Sequence, residues 1–151
     1  MIPPRPLYLA GWALHRALFR MTGGRVGTTR PGGDGGLGTL FLETTGRTSG
    51  KRRGTALFYL DDGRNLAVVA SNAGADRDPA WWRNLQAQPR AKVTIDRQRL
   101  DVDGRPATEA ERARLWPRFV AASAQFAAYE RALTRAIPVV ILEPVDPGPG
   151  G

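Results

Sequence analysis

The sequence predicts a mainly β fold: a small barrel of about six mostly antiparallel strands with flanking helices. Its apolar stretches are short, rich in β-branched and aromatic residues, and bounded by Gly, Asp and Pro. Most are separated by tight-turn chemistry rather than by the long crossovers that parallel strands need. Helical patterns intervene twice, between the third and fourth strands and before the last. Closing such a set into a barrel removes exposed sheet edges.

Taken in order, residues 1–21 read as an amphipathic helix. Leu7, Leu14, Leu18 and Met21 share one face, beside an aromatic stripe of Tyr8, Trp12 and Phe19. Residues 22–37 form a glycine-rich linker with seven glycines between Thr22 and Gly36. Its "GDGGLG" matches G-x-G-x-x-G at Gly33, Gly35 and Gly38, but it leads into a strand instead of opening a helix, so a dinucleotide fingerprint is not indicated. The first strand is "LGTLFLET". "GTALFYL" and "NLAVVAS" form a hairpin around Asp62 and Gly63. "DPAWWRNLQAQP" predicts a short helix with Asp78 as N-cap, Pro79 at its first position, and Trp81 and Leu85 facing the core. "AKVTIDRQRLDVDG" predicts two strands around a tight turn near Asp96 and Arg97.

"TEAE" at Thr108 to Glu111 is a capping-box start for a helix carrying Leu115, Trp116, Phe119 and Val120, which Pro117 should kink or divide. A further helical stretch reaches about Arg135, "IPVVILEP" supplies the last strand, and residues 145–151 read as a flexible tail. The barrel domain therefore spans residues 38–144.

A chain of 151 residues that is 42% hydrophobic can bury one core without staples. The absence of cysteine excludes disulfides, thiolate nucleophiles and iron–sulfur ligation, and makes the cytoplasm the expected compartment. A formal charge of +8 invites a polyanion, yet no nucleic-acid recognition module accompanies it, and the simplest reading of a scattered Arg is a solvated surface. No apolar run is long enough to span a bilayer. Residues 1–33 hold five arginines and no acid, so the first helix either lies on an anionic membrane surface, at the inner face of the cell membrane, or packs on protein.

The chemistry concentrates in "TTGRTSGKRRGT", residues 44–55, where Arg47, Lys51, Arg52 and Arg53 stand among glycines and hydroxyls with no acid. It is not a P-loop: three residues separate Gly46 from Gly50, Arg52 stands where Ser or Thr would hold magnesium, and a strand follows. With one histidine, His15, and no cysteine, neither a catalytic triad nor a transition-metal site is indicated. Asp61, Asp62, Asp76 and Asp78 sit in turn-like segments, where capping is the usual role. Arg47 and Arg53 can make forked bonds to phosphate or carboxylate, and Thr48, Ser49 and Thr55 add hydroxyl donors. The stretch suits a ligand with several anionic groups; a solvated basic turn is the other reading. A site rich in anion binders and poor in proton carriers points to a borrowed cofactor.

Four separated blocks, "TTGRTSGKRRGTALFYL", "VVASNAGADRDPAWWRNLQAQPRAKV", "LWPRFV" and "YERALTRAIPVVILEP", occur in an order that resembles the deazaflavin-dependent nitroreductase family over roughly residues 38–144. The resemblance implies a split β-barrel of the FMN-binding type that binds coenzyme F420, whose tail carries phosphate and glutamate carboxylates. It implies that Arg47, Thr48, Ser49 and Arg53 hold the tail. Gly54, Thr55, Ala56, Leu57 and Phe58 would run beside the cofactor. Val69, Ala70, Ser71 and Asn72 would line the ring, and Ala80, Trp81, Trp82, Arg83 and Asn84 would close the pocket. Phe58, Phe126 and Tyr129 would face a lipophilic hydride acceptor such as a quinone, enone or nitro compound.

Ser71 is then a candidate donor to a developing anion, and Tyr129 a candidate proton donor or pocket wall. No metal is implied. Thr48 stands where the family often has a cation, Ala73 where glycine is more usual, and Phe58, Ser123 and Phe126 where well-known members carry tyrosines. A non-catalytic binder of cofactor or lipid, an FMN-using relative and a nucleic-acid binder are the alternative readings, and the sequence leaves the oligomeric state open.

Overall fold

A computed structural model describes residues 30–31 and 36–145. The expected N-terminal helix, most of the linker and the tail beyond residue 145 lie outside the described residues. The remainder is a closed six-stranded barrel in the order β1-β2-β3-β6-β5-β4, with every pairing antiparallel. Its strands are β1 (Gly38–Thr45), β2 (Arg52–Asp62), β3 (Asn65–Val69), β4 (Arg90–Ile95), β5 (Gln98–Pro106) and β6 (Val139–Pro144). Helix α1 (Ala80–Ala87) follows β3, and α2 (Glu109–Ala122) and α3 (Ala124–Ala132) lie between β5 and β6. The sequence-derived architecture is therefore the one found.

Two apolar layers explain the closure. Leu40, Leu42, Tyr59, Val68, Val93, Val102, Val140 and Leu142 fill the interior, joined by Trp81, Trp82 and Leu85 of α1. The alternate residues Leu60, Ala67, Val69, Val139 and Ile141 face outward and are covered by Leu115, Phe119, Phe126 and Tyr129 of α2 and α3. Strands β3 and β6 are thus buried on both faces, which is why they read as near-continuous apolar runs. A Cβ on Gly104 would lie 2.8 Å from Leu85 Cδ1, so this glycine on β5 lets α1 close onto the barrel.

Local corrections have physical causes. Helix α1 is capped by Pro79, one residue later than expected, because the Asp78 carboxylate accepts from Arg135 Nη1 at 2.8 Å instead of capping. Helix α2 runs unbroken through Pro117, with the division at Ser123. An interior proline costs about 3 kcal/mol, and the full burial of Leu115 and Phe119 on either side of it offsets that cost. Helix α3 ends at Ala132, short of Arg135. The capping box forms as expected: Glu111 N donates to Thr108 Oγ1 at 3.1 Å and Thr108 N to Glu111 Oε1 at 2.9 Å.

Scattered arginines prove to be staples. Arg105 grips Glu111 through both Nη atoms at 2.6 and 2.9 Å and Glu143 through Nε at 2.6 Å, joining β5, β6 and α2. Arg114 holds Asp62 with two bonds, and Arg99 reaches Glu43 at 3.0 Å.

Candidate active site

The loop between β1 and β2, residues 46–51, folds back on itself. Gly50 N donates to Gly46 O at 2.9 Å, Gly46 N to Lys51 O at 2.7 Å, and Lys51 N to Ser49 Oγ at 3.2 Å. Gly50 has φ +69°, which lets the chain reverse within the loop. Arg47, Thr48 and Ser49 are left exposed at its tip. Among the described residues the amides of Thr48 and Ser49 make no hydrogen bond; Arg52 Nη1 lies 3.8 Å from Glu43 Oε2, whereas Lys51 and Arg53 have no acid partner.

Asn84 anchors this loop from α1. It is 3% exposed, and its side-chain amide bonds two neighbours. Its Oδ1 accepts from Arg47 N at 3.2 Å and from Arg47 Nη1 at 2.9 Å, and its Nδ2 donates to Thr44 Oγ1 at 3.1 Å. A single buried amide therefore ties the end of β1, the cationic turn and the helix together.

Further along β2, Gly54 is required by close approach. A Cβ there would fall 2.3 Å from Cζ of Phe41, whose ring covers it. The next residues, Thr55 to Phe58, form one wall of a cleft of about 610 Å³, within the range of small-molecule sites. Phe58 is the large apolar residue left exposed among those described, at 38%.

The opposite wall comes from Val69, Ser71 and Asn72 after β3, from Pro79, Ala80 and Trp81 at the start of α1, and from Gln125, Phe126 and Tyr129 of α3. Phe126 is fixed by edge-to-face contacts with Trp116 and Phe119 at centroid distances of 6.3 and 5.4 Å. Tyr129, 4% exposed, lies against the turn at Gly74. Ser71 precedes that turn and its hydroxyl caps nothing.

The cleft thus gathers Arg47, Thr48, Ser49, Arg53, Gly54, Thr55, Ala56, Leu57, Phe58, Val69, Ser71, Asn72, Ala80, Trp81, Asn84, Phe126 and Tyr129. Three other residues named from the sequence stand outside its lining. Ala70 is fully buried, Trp82 packs into the barrel interior, and Arg83 is exposed on α1. Sequence reading missed Thr44, Gly46, Arg52, Pro79 and Gln125. Thr44, Gly46 and Arg52 adjoin the basic motif and were recoverable from it; Gln125, a polar residue on a helix, carries no signal of its own.

The charge is uneven along the cleft. Cations and hydroxyls crowd residues 47–53, whereas Val69, Trp81, Phe58, Phe126 and Tyr129 make the rest of the lining largely aromatic and apolar, with Ser71, Asn72 and Gln125 as its polar members. A long ligand with an anionic tail and a flat head fits this division.

Comparison with known proteins agrees with that geometry. The family described as F420H(2)-dependent quinone reductase matches residues 12–144. The chain belongs to this family. Rv3178 of Mycobacterium tuberculosis is 43% identical over 106 residues, covering 70% of this chain and 89% of that protein. The F420H(2)-dependent quinone reductase Rv1261c of the same species is 36% identical over 132 residues, covering 85% and 87%. Among solved structures, an F420-H2 dependent reductase, FDR-A, superposes with a TM-score of 0.64 at 33% identity, covering 70% of this chain and 93% of its own. The match extends the resemblance seen from residue 38 back to residue 12, into the expected N-terminal helix.

Proposed function

We propose that this protein is an F420-dependent reductase that delivers a hydride to a quinone-type acceptor. One observation carries the reading: a single cleft joins the acid-free basic turn to an aromatic wall. The donor set fits the cofactor. Arg47, Arg53 and Arg52, with the hydroxyls of Thr48, Ser49 and Thr55, would hold phosphate and carboxylates, and Val69, Trp81 and Phe58 would bracket a flat ring. When bound in its reduced form, F420 would supply the hydride, and the acceptor would take its proton from solvent and leave as the quinol.

The residues of this chain act by placement. Orientation of two reactants removes roughly 7 to 11 kcal/mol of a barrier in the best cases, and a rigid cleft supplies that without an acid–base pair. The Ser71 hydroxyl would donate to oxygen that gains negative charge. Phe58, Phe126 and Tyr129 would exclude water around the acceptor and match its apolar face. Asn84 would act through Arg47, because its own polar atoms are already engaged.

Mixing the protein with reduced F420 and a soluble naphthoquinone, and following recovery of the oxidised cofactor's absorbance, tests the proposal. Turnover well above the cofactor–quinone background is expected, with reduced FMN not substituting. Saturable F420 binding without turnover across quinones, enones and nitro compounds would instead favour a carrier role.

No helix among the described residues is long and apolar enough to cross a membrane. The five arginines and missing acids of residues 1–33 support a peripheral position on the cytoplasmic membrane face, where lipophilic quinones dissolve. Deleting residues 1–21 should then abolish co-sedimentation with anionic vesicles.

A further inference from the structure

The segment between β3 and α1, residues 70–79, has almost no regular structure of its own, yet it carries Ser71 and Asn72 into the cleft. Two of its residues have left-handed backbone, Asn72 at φ +49° and Gly74 at φ +81°. Its own backbone bonds are confined to the turn at 71–75, where Gly74 N donates to Ser71 O and Ala75 N to Asn72 O, both at 3.0 Å.

What ties that turn to the residues on either side of it is a side chain about 60 residues further along the chain. Arg135, in the connection from α3 to β6, has a side chain only 17% exposed. Its guanidinium is surrounded by the carbonyls and carboxylate of that segment. Nε donates to Ala75 O at 3.1 Å, Nη1 to Asp78 Oδ1 at 2.8 Å, and Nη2 to Ser71 O at 3.0 Å. Both Nη atoms also reach Ala70 O at 3.5 Å. Within the segment, Asn72 Nδ2 donates to Arg77 O at 3.0 Å, and Ala70 N donates to Pro138 O at 2.9 Å beside the arginine's own connection.

We propose that Arg135 is a positioning residue of the reductase site: it fixes the 70–78 segment so that Val69, Ser71 and Asn72 present one rigid wall to the ring end of the cleft. The inference rests on the function proposed above. Only a planar fork of donors can satisfy these acceptors together, because a lysine offers one point of charge. The basic turn shares none of these bonds and is held separately, by Asn84 of α1. Arg135 therefore governs catalysis at the ring end and leaves the grip on the anionic tail nearly intact.

The test compares Arg135→Ala, Arg135→Lys and the milder Asp78→Asn, the last keeping the guanidinium if the first two fail to fold. Three readouts are taken on folded protein well below its unfolding transition. The kcat of quinone reduction should fall by about 100-fold in Arg135→Ala, the scale of a misplacement near 1 Å, with the F420 dissociation constant changing far less. Amide hydrogen exchange should accelerate across residues 70–78 but not in β1 or β4. Added methylguanidinium should restore part of the lost kcat in Arg135→Ala but none in the wild-type protein. In Asp78→Asn a smaller drop in kcat with the same local exchange is expected.

Unchanged kcat and unchanged exchange in folded Arg135→Ala, or in Asp78→Asn where that alone folds, overturns the proposal, as does a loss of F420 affinity as large as the loss of kcat. Wild-type protein that neither binds nor uses F420 defeats the functional reading instead, and the exchange experiment still reports whether the clamp exists.

Discussion

Replacing Asn84 by alanine should weaken both the fold and the cofactor site, by amounts that follow from its three contacts. The substitution removes the donor to Thr44 Oγ1 and the acceptor shared by Arg47 N and Arg47 Nη1. Neutral hydrogen bonds contribute about 1 kcal/mol each and one to a charged partner about 1.5 to 3, which gives an upper value of about 5 kcal/mol. Arg47 is exposed and regains water once released, so most of its share is recovered. Thr44, only 2% exposed, has no such compensation. A net loss of about 2 to 3 kcal/mol is expected, read as a shift in the urea midpoint with unchanged slope.

The freed turn must also be re-ordered on binding, which should weaken F420 by about tenfold, or about 1.4 kcal/mol, in a fluorescence titration. Asn84→Asp provides the control. A carboxylate keeps the acceptor for Arg47, and the Thr44 hydroxyl can rotate to donate, so the urea midpoint should fall less than in Asn84→Ala, while the new charge beside the anion site should itself weaken F420. Stability loss below about 0.5 kcal/mol together with unaltered affinity in Asn84→Ala would refute the view that this amide builds the site.

Three other substitutions probe the barrel. Asp96 and Arg97 both have positive φ, +48° and +71°, in the two-residue turn of β4 and β5, so Arg97→Gly should raise stability by about 1 kcal/mol in thermal unfolding. Tyr59 is fully buried, and its hydroxyl has no partner among the described residues. Tyr59→Phe should therefore leave stability unchanged or raise it by up to about 1 kcal/mol. Burial pushes the Tyr59 phenol up to about 12, so it leaves stability independent of pH below 10 and lowers it as pH climbs from 10 toward 12; the phenylalanine variant should lack this alkaline limb.

The hydrogen bonds from Arg105, aided by the Thr108 amide, hold the Glu111 carboxyl down to about 2. Its stabilisation is complete above pH 4.5 and vanishes as pH falls toward 2. Glu111→Ala should cost about 1 to 2 kcal/mol at neutral pH and flatten that acid limb in denaturation curves.

The barrel was legible because its strands are short apolar stretches bounded by Gly, Asp and Pro and joined mostly by tight turns. The basic turn was legible as an anion site because four cations without an acid are unusual in twelve residues. What the sequence hid were pairings across long separations. Asp78 looked like a cap because nothing local reveals Arg135, 57 residues away. Pro117 looked like a break because the burial of Leu115 and Phe119 depends on β3 and β6. Asn84 does line the cleft, as its place in the motif implied, but nothing local shows that its polar atoms also hold Arg47 and Thr44. Trp82 and Ala70 were grouped with the cleft because sequence neighbours on a helix or strand point in different directions, and these two point inward.

The central claim is that the basic turn holds an anionic tail so that a flat redox ring lies against the aromatic wall. Titrating the protein with F420 and with the same deazaflavin ring on its ribityl chain, lacking phosphate and glutamates, tests it most directly. The truncated compound should bind at least about 100-fold more weakly, and Arg53→Glu should erase most of the difference. Equal affinity for the two compounds, or a difference indifferent to Arg53→Glu, would contradict the account.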